Sequence, residues 1–156
     1  CRACRTGGRM SEARAGTTER GSGTPVRLAI AGCGAIAQLA HLPALERMRG
    51  VELVAVCDND RAKARAIAER FGVGANYQDL EELLESETPD AVIVATPNHL
   101  HAPHVLSVLR AGVDVLVERP MSFTARGTER VLAAAERARR RVFVGNNHRF
   151  RTDVQA

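Results

Sequence analysis

Short apolar runs alternate with amphipathic stretches along most of this chain, and that alternation leaves few folds open. The runs are Val26–Ala31, Val51–Cys57, Ala91–Ala95, Val113–Val117 and Val142–Val144. Each is rich in Val, Ile, Leu or Ala and apolar at successive positions, as a strand covered on both faces must be. Helical spacing fills the intervals between them. Arg61–Phe71 has Asp60 before it as a cap and Gly72 after it as a stop. Asp79 stands three residues before Glu82, the spacing of a capping box, and leads into Leu83 and Leu84. A further helix over His101–Ala111 stops at Gly112. Thr124 is placed to cap the last one, from Ala125 to about Arg140, with Val131, Leu132, Ala135 and Ala138 on one apolar face. Connections this long are not hairpins, so the strands run parallel through right-handed crossovers. The expected fold is α/β, a doubly wound, Rossmann-like parallel sheet of five or six strands in a single domain.

The length of 156 residues suits one domain of ordinary size and no second one equal to it. Residues 1–24 stand apart. They are Gly, Arg, Ser and Thr without apolar periodicity and read as a disordered leader. That leader also carries most of the formal net charge of +4, because Arg2, Arg5, Arg9, Arg14 and Arg20 face only Glu12 and Glu19. The rest is close to neutral and has no Trp and a single Tyr, so neither a basic stripe nor stacking platforms for nucleic acid are expected. No apolar run approaches the roughly 20 residues that span a bilayer. Cys1 and Cys4 have the spacing of a redox or zinc pair but lack the surrounding pattern that either needs. No apolar segment follows the basic N-terminus, so no secretory signal is expected, and a reducing cytoplasm is the expected compartment.

Chemistry concentrates where strands end. Gly32-Cys33-Gly34-Ala35-Ile36-Ala37 follows the first strand and opens a helix. There Gly32 permits the tight turn and Gly34 leaves the backbone bare for a diphosphate. Ala37 lets helix and strand approach, and the amides of Ala35 and Ile36 face the phosphates from the positive end of the helix. Asp58 ends the second strand, twenty-one residues past Ala37, where a carboxylate accepts the hydroxyls of an adenosine ribose. A carboxylate there favours NAD over NADP, and Arg61 close by is the group that could admit the 2′-phosphate of NADP. Thr96-Pro97-Asn98-His99-Leu100-His101 leaves the third long run at the edge where open α/β sheets bind ligands. His99, His101 and His104 do not make a metal site, since no Cys or carboxylate is adjacent and the helix start turns His104 away. Glu118-Arg119-Pro120 ends the next strand, and Pro120 forces a sharp exit.

Taken together, the GCGAIA loop, the VAVCD and VGNNHRF strand ends, TPNHLH and the ERP tripeptide resemble the N-terminal domain of the Gfo/Idh/MocA oxidoreductases over about residues 26–156. The resemblance implies NAD(P)-dependent hydride transfer at a carbon of a sugar, cyclitol or related polyol, with NAD the expected cofactor and NADP possible. It assigns the diphosphate to Gly32, Gly34, Ala35, Ile36 and Ala37, and the adenosine ribose to Asp58. Thr96, Pro97, Asn98, His101, Glu118 and Arg119 would approach the nicotinamide half, and Asn147 would floor the same cleft. The family pattern usually has Glu-Lys-Pro, whereas this chain has Arg119 in the lysine position. A guanidinium keeps its proton, so Arg119 can anchor a substrate or stabilise negative charge but is no general base. The family also carries a second domain with a large, mostly antiparallel sheet, which supplies a catalytic His and Asp and most subunit contacts. On this reading residues 25–150 are the dinucleotide-binding domain and residues 151–156 begin the second one. The chain by itself is then expected to bind cofactor and turn over little, and a homo-oligomer is expected only with that second domain. The alternatives are a non-catalytic dinucleotide-binding sensor or partner module, and an inactive truncated fragment.

Overall fold

A computed structural model describes residues 23–146. Six strands form one sheet: β1 (Val26–Ala31), β2 (Val51–Cys57), β3 (Ala75–Tyr77), β4 (Ala91–Val94), β5 (Asp114–Val117) and β6 (Val142–Val144). Their spatial order is β3-β2-β1-β4-β5-β6, and every pair is parallel. This is the doubly wound order in which the chain reverses direction across the sheet between β1 and β4. All five runs expected as strands agree with observed strands to within one residue at each end, and Val26–Ala31, Val51–Cys57 and Val142–Val144 match β1, β2 and β6 outright. The sequence reading passed over β3. Ala75, Asn76 and Tyr77 form a three-residue edge strand with one exposed and two half-buried positions, so burial leaves no apolar run to detect.

The helices are α1 (Leu42–Leu45), α2 (Arg61–Phe71), α3 (Leu80–Glu87), α4 (His101–Arg110) and α5 (Ala125–Ala138). Asp60, Asp79 and Thr124 cap α2, α3 and α5 by accepting from the backbone N–H groups of Lys63, Glu82 and Gly127. Gly72 ends α2 in the left-handed conformation. The end of α5 comes at Ala138, two residues before the expected Arg140, because Arg139 takes up a left-handed cap with φ of 52°.

Strand alternation sends side chains to two cores. Ala29, Ala31, Val92, Val94, Val115 and Val117 pack beneath α3, α4 and α5. On the opposite face Ile30, Val56 and Ile93 pack beneath α1 and α2 with Leu42, Ile67 and Ala68. Each fully buried Val, Leu or Ile contributes about 1.5–3 kcal/mol. That second face is helix-covered only toward β2 and β3. Over β4–β6 it opens into a groove of about 520 Å³ whose walls include Leu28, Met48, Leu116 and Phe143. The crossovers converge the carboxyl ends of β1, β2, β4 and β5 along one edge, and the chemistry-bearing loops sit there.

Candidate functional site

The turn after β1 is built by close approach. Gly32 has φ of 99°, and a Cβ placed on it would lie 2.5 Å from the Ala95 carbonyl oxygen and 2.7 Å from the Thr96 nitrogen. The loops after β1 and β4 thus touch backbone to backbone at the point where the sheet order reverses. Hydrogen bonds fix this contact: Ala95 N–H donates to Ala31 O at 2.7 Å and Gly32 N–H to Cys57 O at 2.7 Å. Gly34, two residues on, has open space where its Cβ would be. The helix that begins at residue 35 exposes Ala35 and Ile36, while Ala37 is fully buried against the second core. Amides in a first helical turn have no intrahelical acceptor, so the segment offers donors beside a bare Gly34.

That helix departs from α geometry at once. Ala37–His41 is a π-helical turn, closed by Leu42 N–H donating to Ala37 O five residues back. Pro43 follows and has no N–H to return to the preceding turn. Gln38 Nε2 donates to Cys33 O at 2.8 Å and braces the turn against the Gly-rich loop. At the end of the π turn, His41 Nε2 lies 2.9 Å from Glu118 Oε1, and both side chains are largely buried. Glu118 is confined on its other side by Gly145, where a Cβ would come within 3.1 Å of the carboxylate.

Asp58 directly follows β2 and is 8% exposed. Its Oδ2 accepts from Cys33 N–H at 2.8 Å, and its Oδ1 accepts from Asp60 N–H at 3.0 Å and from Lys63 Nζ at 2.9 Å. Burial on its own would raise this carboxyl, but the bonds from Lys63, Asp60 and Cys33 outweigh it and hold the group below its usual range. Asp58 is therefore a carboxylate that both anchors the Gly-rich loop and faces the cavity. Gly32, Asp58, Gln78, Asp79, Thr96 and Pro97 are among the walls of that cavity, which measures about 260 Å³.

The three histidines do not converge. His99 is exposed on a 3₁₀ turn spanning Asn98–Leu100. His104 Nδ1 lies 3.1 Å from Thr96 Oγ1, and burial pushes its ring below the usual histidine value. His101 is 1% exposed, with Nδ1 2.7 Å from Pro120 O and Nε2 2.7 Å from Thr96 O. Carbonyl oxygens only accept, so the ring makes both bonds when both nitrogens carry hydrogen and one when it is neutral. His101 thus sits between the loops after β4 and β5 with one ring nitrogen facing a carbonyl of each, and neither nitrogen is left for a ligand. Among the described residues no group of three or more His, Cys, Asp or Glu is placed to hold a metal ion.

Of the residues singled out by sequence, Gly32, Asp58, Thr96 and Pro97 share one cavity. Gly34, Ala35 and Ile36 form the adjacent helix start, with Ala37 packed beneath. Asn98 and Arg119 are exposed, and Glu118 is held by His41. Asn147 lies outside the described residues, as do Cys1, Cys4 and nearly all of the proposed leader. His41, Gln38 and Lys63 were missed. The one signal available for Lys63 was that it is the chain's only lysine, five residues after Asp58.

Residues 26–146 match the family described as oxidoreductase family, NAD-binding Rossmann fold, of the Gfo/Idh/MocA group. D-glucoside 3-dehydrogenase of Escherichia coli is 33% identical over 132 residues, which is 85% of this chain and 38% of that protein. Among solved structures, the WlbA dehydrogenase of Chromobacterium violaceum in complex with NADH and UDP-GlcNAcA has a TM-score of 0.81 at 32% identity. That likeness covers 86% of this chain and 39% of the other. A 3-ketoreductase from Actinomadura kijaniata in complex with TDP-benzene and NADP has a TM-score of 0.74 at 34% identity, covering 78% of this chain and 37% of that one. The chain thus spans less than half the length of these proteins.

Proposed function

We propose, for a chain that belongs to the Gfo/Idh/MocA oxidoreductase family with its NAD-binding Rossmann fold, that residues 25–150 form the cofactor-binding unit of a dehydrogenase acting on a sugar or related polyol. The observation that carries this reading is the paired geometry of Gly32 and Gly34. One glycine is locked against the β4 loop, and the next has nothing where its side chain would be, at the point where the sheet order reverses. A dinucleotide fits such a cradle because its diphosphate needs close backbone approach and free amides. Gly34, Ala35 and Ile36 would hold the diphosphate, Asp58 the adenosine ribose, and the Thr96-Pro97-Asn98 loop with Glu118 and Arg119 the nicotinamide side.

A bound nicotinamide supplies the carbon that takes or gives the hydride. The chain's own residues supply position and charge. Glu118, fixed by His41 and Gly145, presents a carboxylate at the carboxyl end of β5. The exposed Arg119 beside it orients a substrate hydroxyl or offsets negative charge, and it does not take a proton. The sugar-class substrate rests on the relatives, one of which acts on a D-glucoside. The test is titration of the folded chain with NAD while following thermal unfolding. A ligand that binds only the native state must raise the melting temperature, by an amount that grows with ligand concentration. A folded sample indifferent to millimolar NAD and NADP would remove the cofactor role.

A further inference from the structure

Asp58, the carboxylate that would hold the adenosine ribose, already has most of its hydrogen-bonding capacity occupied. A carboxylate has about four lone-pair sites. Three are taken: Oδ1 accepts from Asp60 N–H and Lys63 Nζ, and Oδ2 accepts from Cys33 N–H. Oδ1 is filled, and Oδ2 retains one site. A vicinal diol seeks two acceptors, so Asp58 can serve one ribose hydroxyl and not both. The group beside the filled oxygen is the Lys63 ammonium, 2.9 Å from it, which has further N–H bonds to give. Its side chain is 41% exposed, so its remaining N–H groups are accessible beside the cavity that Asp58 lines.

On that footing, and resting on the dinucleotide reading above, we propose that Lys63 sets the cofactor preference and makes the site accept both NAD and NADP. A bare aspartate repels a 2′-phosphate. Here the carboxylate is paired, and the outward group at the ribose is a donor. That donor serves a hydroxyl oxygen or a phosphate oxygen alike, with a stronger, charge-assisted bond to the phosphate. Opposing it are Asp60, which caps the same helix, and Asp79 and Glu81 in the cavity wall. These keep the site from becoming selective for NADP. Arg61, the cation the sequence pointed to, is exposed and makes no bond to Asp58, and Lys63 is the cation held at that carboxylate.

The test measures dissociation constants for NAD and NADP by calorimetry on the full 156-residue chain and on Lys63→Met, Lys63→Arg and Arg61→Ala variants. Wild type is expected to bind both, with NADP weaker by no more than about tenfold, and Lys63→Met to widen that gap by at least a further factor of about ten. Lys63→Arg keeps a cation in place and is expected to hold the wild-type ratio. Circular dichroism melts confirm that each variant is folded. Rejection of NADP by wild type with NAD still bound overturns the proposal and leaves the dinucleotide reading standing. So does a ratio that moves in Arg61→Ala and not in Lys63→Met. Failure of both cofactors to bind folded wild type removes the two readings together.

Discussion

The two glycines of the first loop separate folding from binding, and alanine at each should show it. At Gly32 the added Cβ would lie 2.5, 2.6 and 2.7 Å from Ala95 O, Ala95 C and Thr96 N. Ordinary contacts are about 3.5–4.0 Å, and the obstruction is backbone, which cannot swing aside. The φ of 99° adds a strained conformation for any L side chain, about 1–3 kcal/mol. Forcing the β1 and β4 loops apart adds roughly another 1–3 kcal/mol. A Gly32→Ala loss of about 2–6 kcal/mol is a large share of a domain's stability of about 5–15 kcal/mol. For a domain of this size the melting temperature should fall by about 5–20 °C. At Gly34 no atom lies within 4 Å of the added Cβ and the backbone is not left-handed. Gly34→Ala should therefore melt within about 1 kcal/mol of wild type while its NAD affinity falls at least about tenfold, because the methyl fills the cradle. Thermal and urea unfolding by circular dichroism, paired with calorimetric NAD titration, read both effects. A Gly32→Ala protein as stable as wild type would refute the close-approach reasoning, and a folded Gly34→Ala protein with undiminished NAD affinity would refute the cradle.

Asp58 is a depressed carboxyl, so its contribution is present above the unfolded value near 4 and is lost as pH falls through its folded value. Asp58→Asn should cost about 1.5–3 kcal/mol at pH 7 in denaturant titrations, with the gap to wild type narrowing below about pH 4. His104 runs the other way, since burial lowers its ring and the unfolded chain takes the proton more readily. Wild-type stability should therefore fall as pH drops through about 6.5, and His104→Gln should flatten that part of the profile. Cys33 and Cys57 are buried and their thiols are pushed up to about 12, mainly by desolvation. In a Cys1→Ser, Cys4→Ser background, a thiol reagent at pH 8 should label neither in the native state and both in denaturant.

Much of the architecture was readable because each long element carries its own signal. Asp60, Asp79 and Thr124 announce helix starts through side chains that compete for the first amides, and all three do so in the structure. The central strands announce themselves through near-continuous apolarity, interrupted only by Arg27, Glu52 and Asp114 toward their N-terminal ends. The short edge strand β3 has neither signal, and its pairing with β2 depends on where β2 lies in the sheet. The π turn at Ala37–His41 is likewise a compromise between the Gly-rich loop and Pro43, which helical periodicity does not report. Within the site, motif spacing located the residues and did not reveal how they are used. His101 falls inside a ligand-loop motif, yet burial turns both its nitrogens to backbone carbonyls. Lys63 sits outside every motif because its role depends on one helical turn bringing it back to Asp58.

These contacts share a consequence. Asp58 holds Cys33 N–H, His101 joins Thr96 O to Pro120 O, and His41 holds Glu118, so three side chains tie together the four loops that would surround a cofactor. Polar groups that carry the loops are paid for in folding and stand pre-positioned when a ligand arrives, which lowers the ordering cost of binding. Removing one of them therefore weakens binding in two ways, by deleting a contact and by releasing a loop. A single affinity measurement cannot divide the two. The division comes from pairing each substitution with its effect on stability without ligand. A side chain such as His101, with no nitrogen facing the cavity, should lose stability and affinity together. A side chain such as Lys63, 41% exposed but bonded to the buried Asp58, should change the NADP-to-NAD ratio, which a loosened loop alone would not, while its removal costs about 1–3 kcal/mol by leaving a buried carboxylate one donor short.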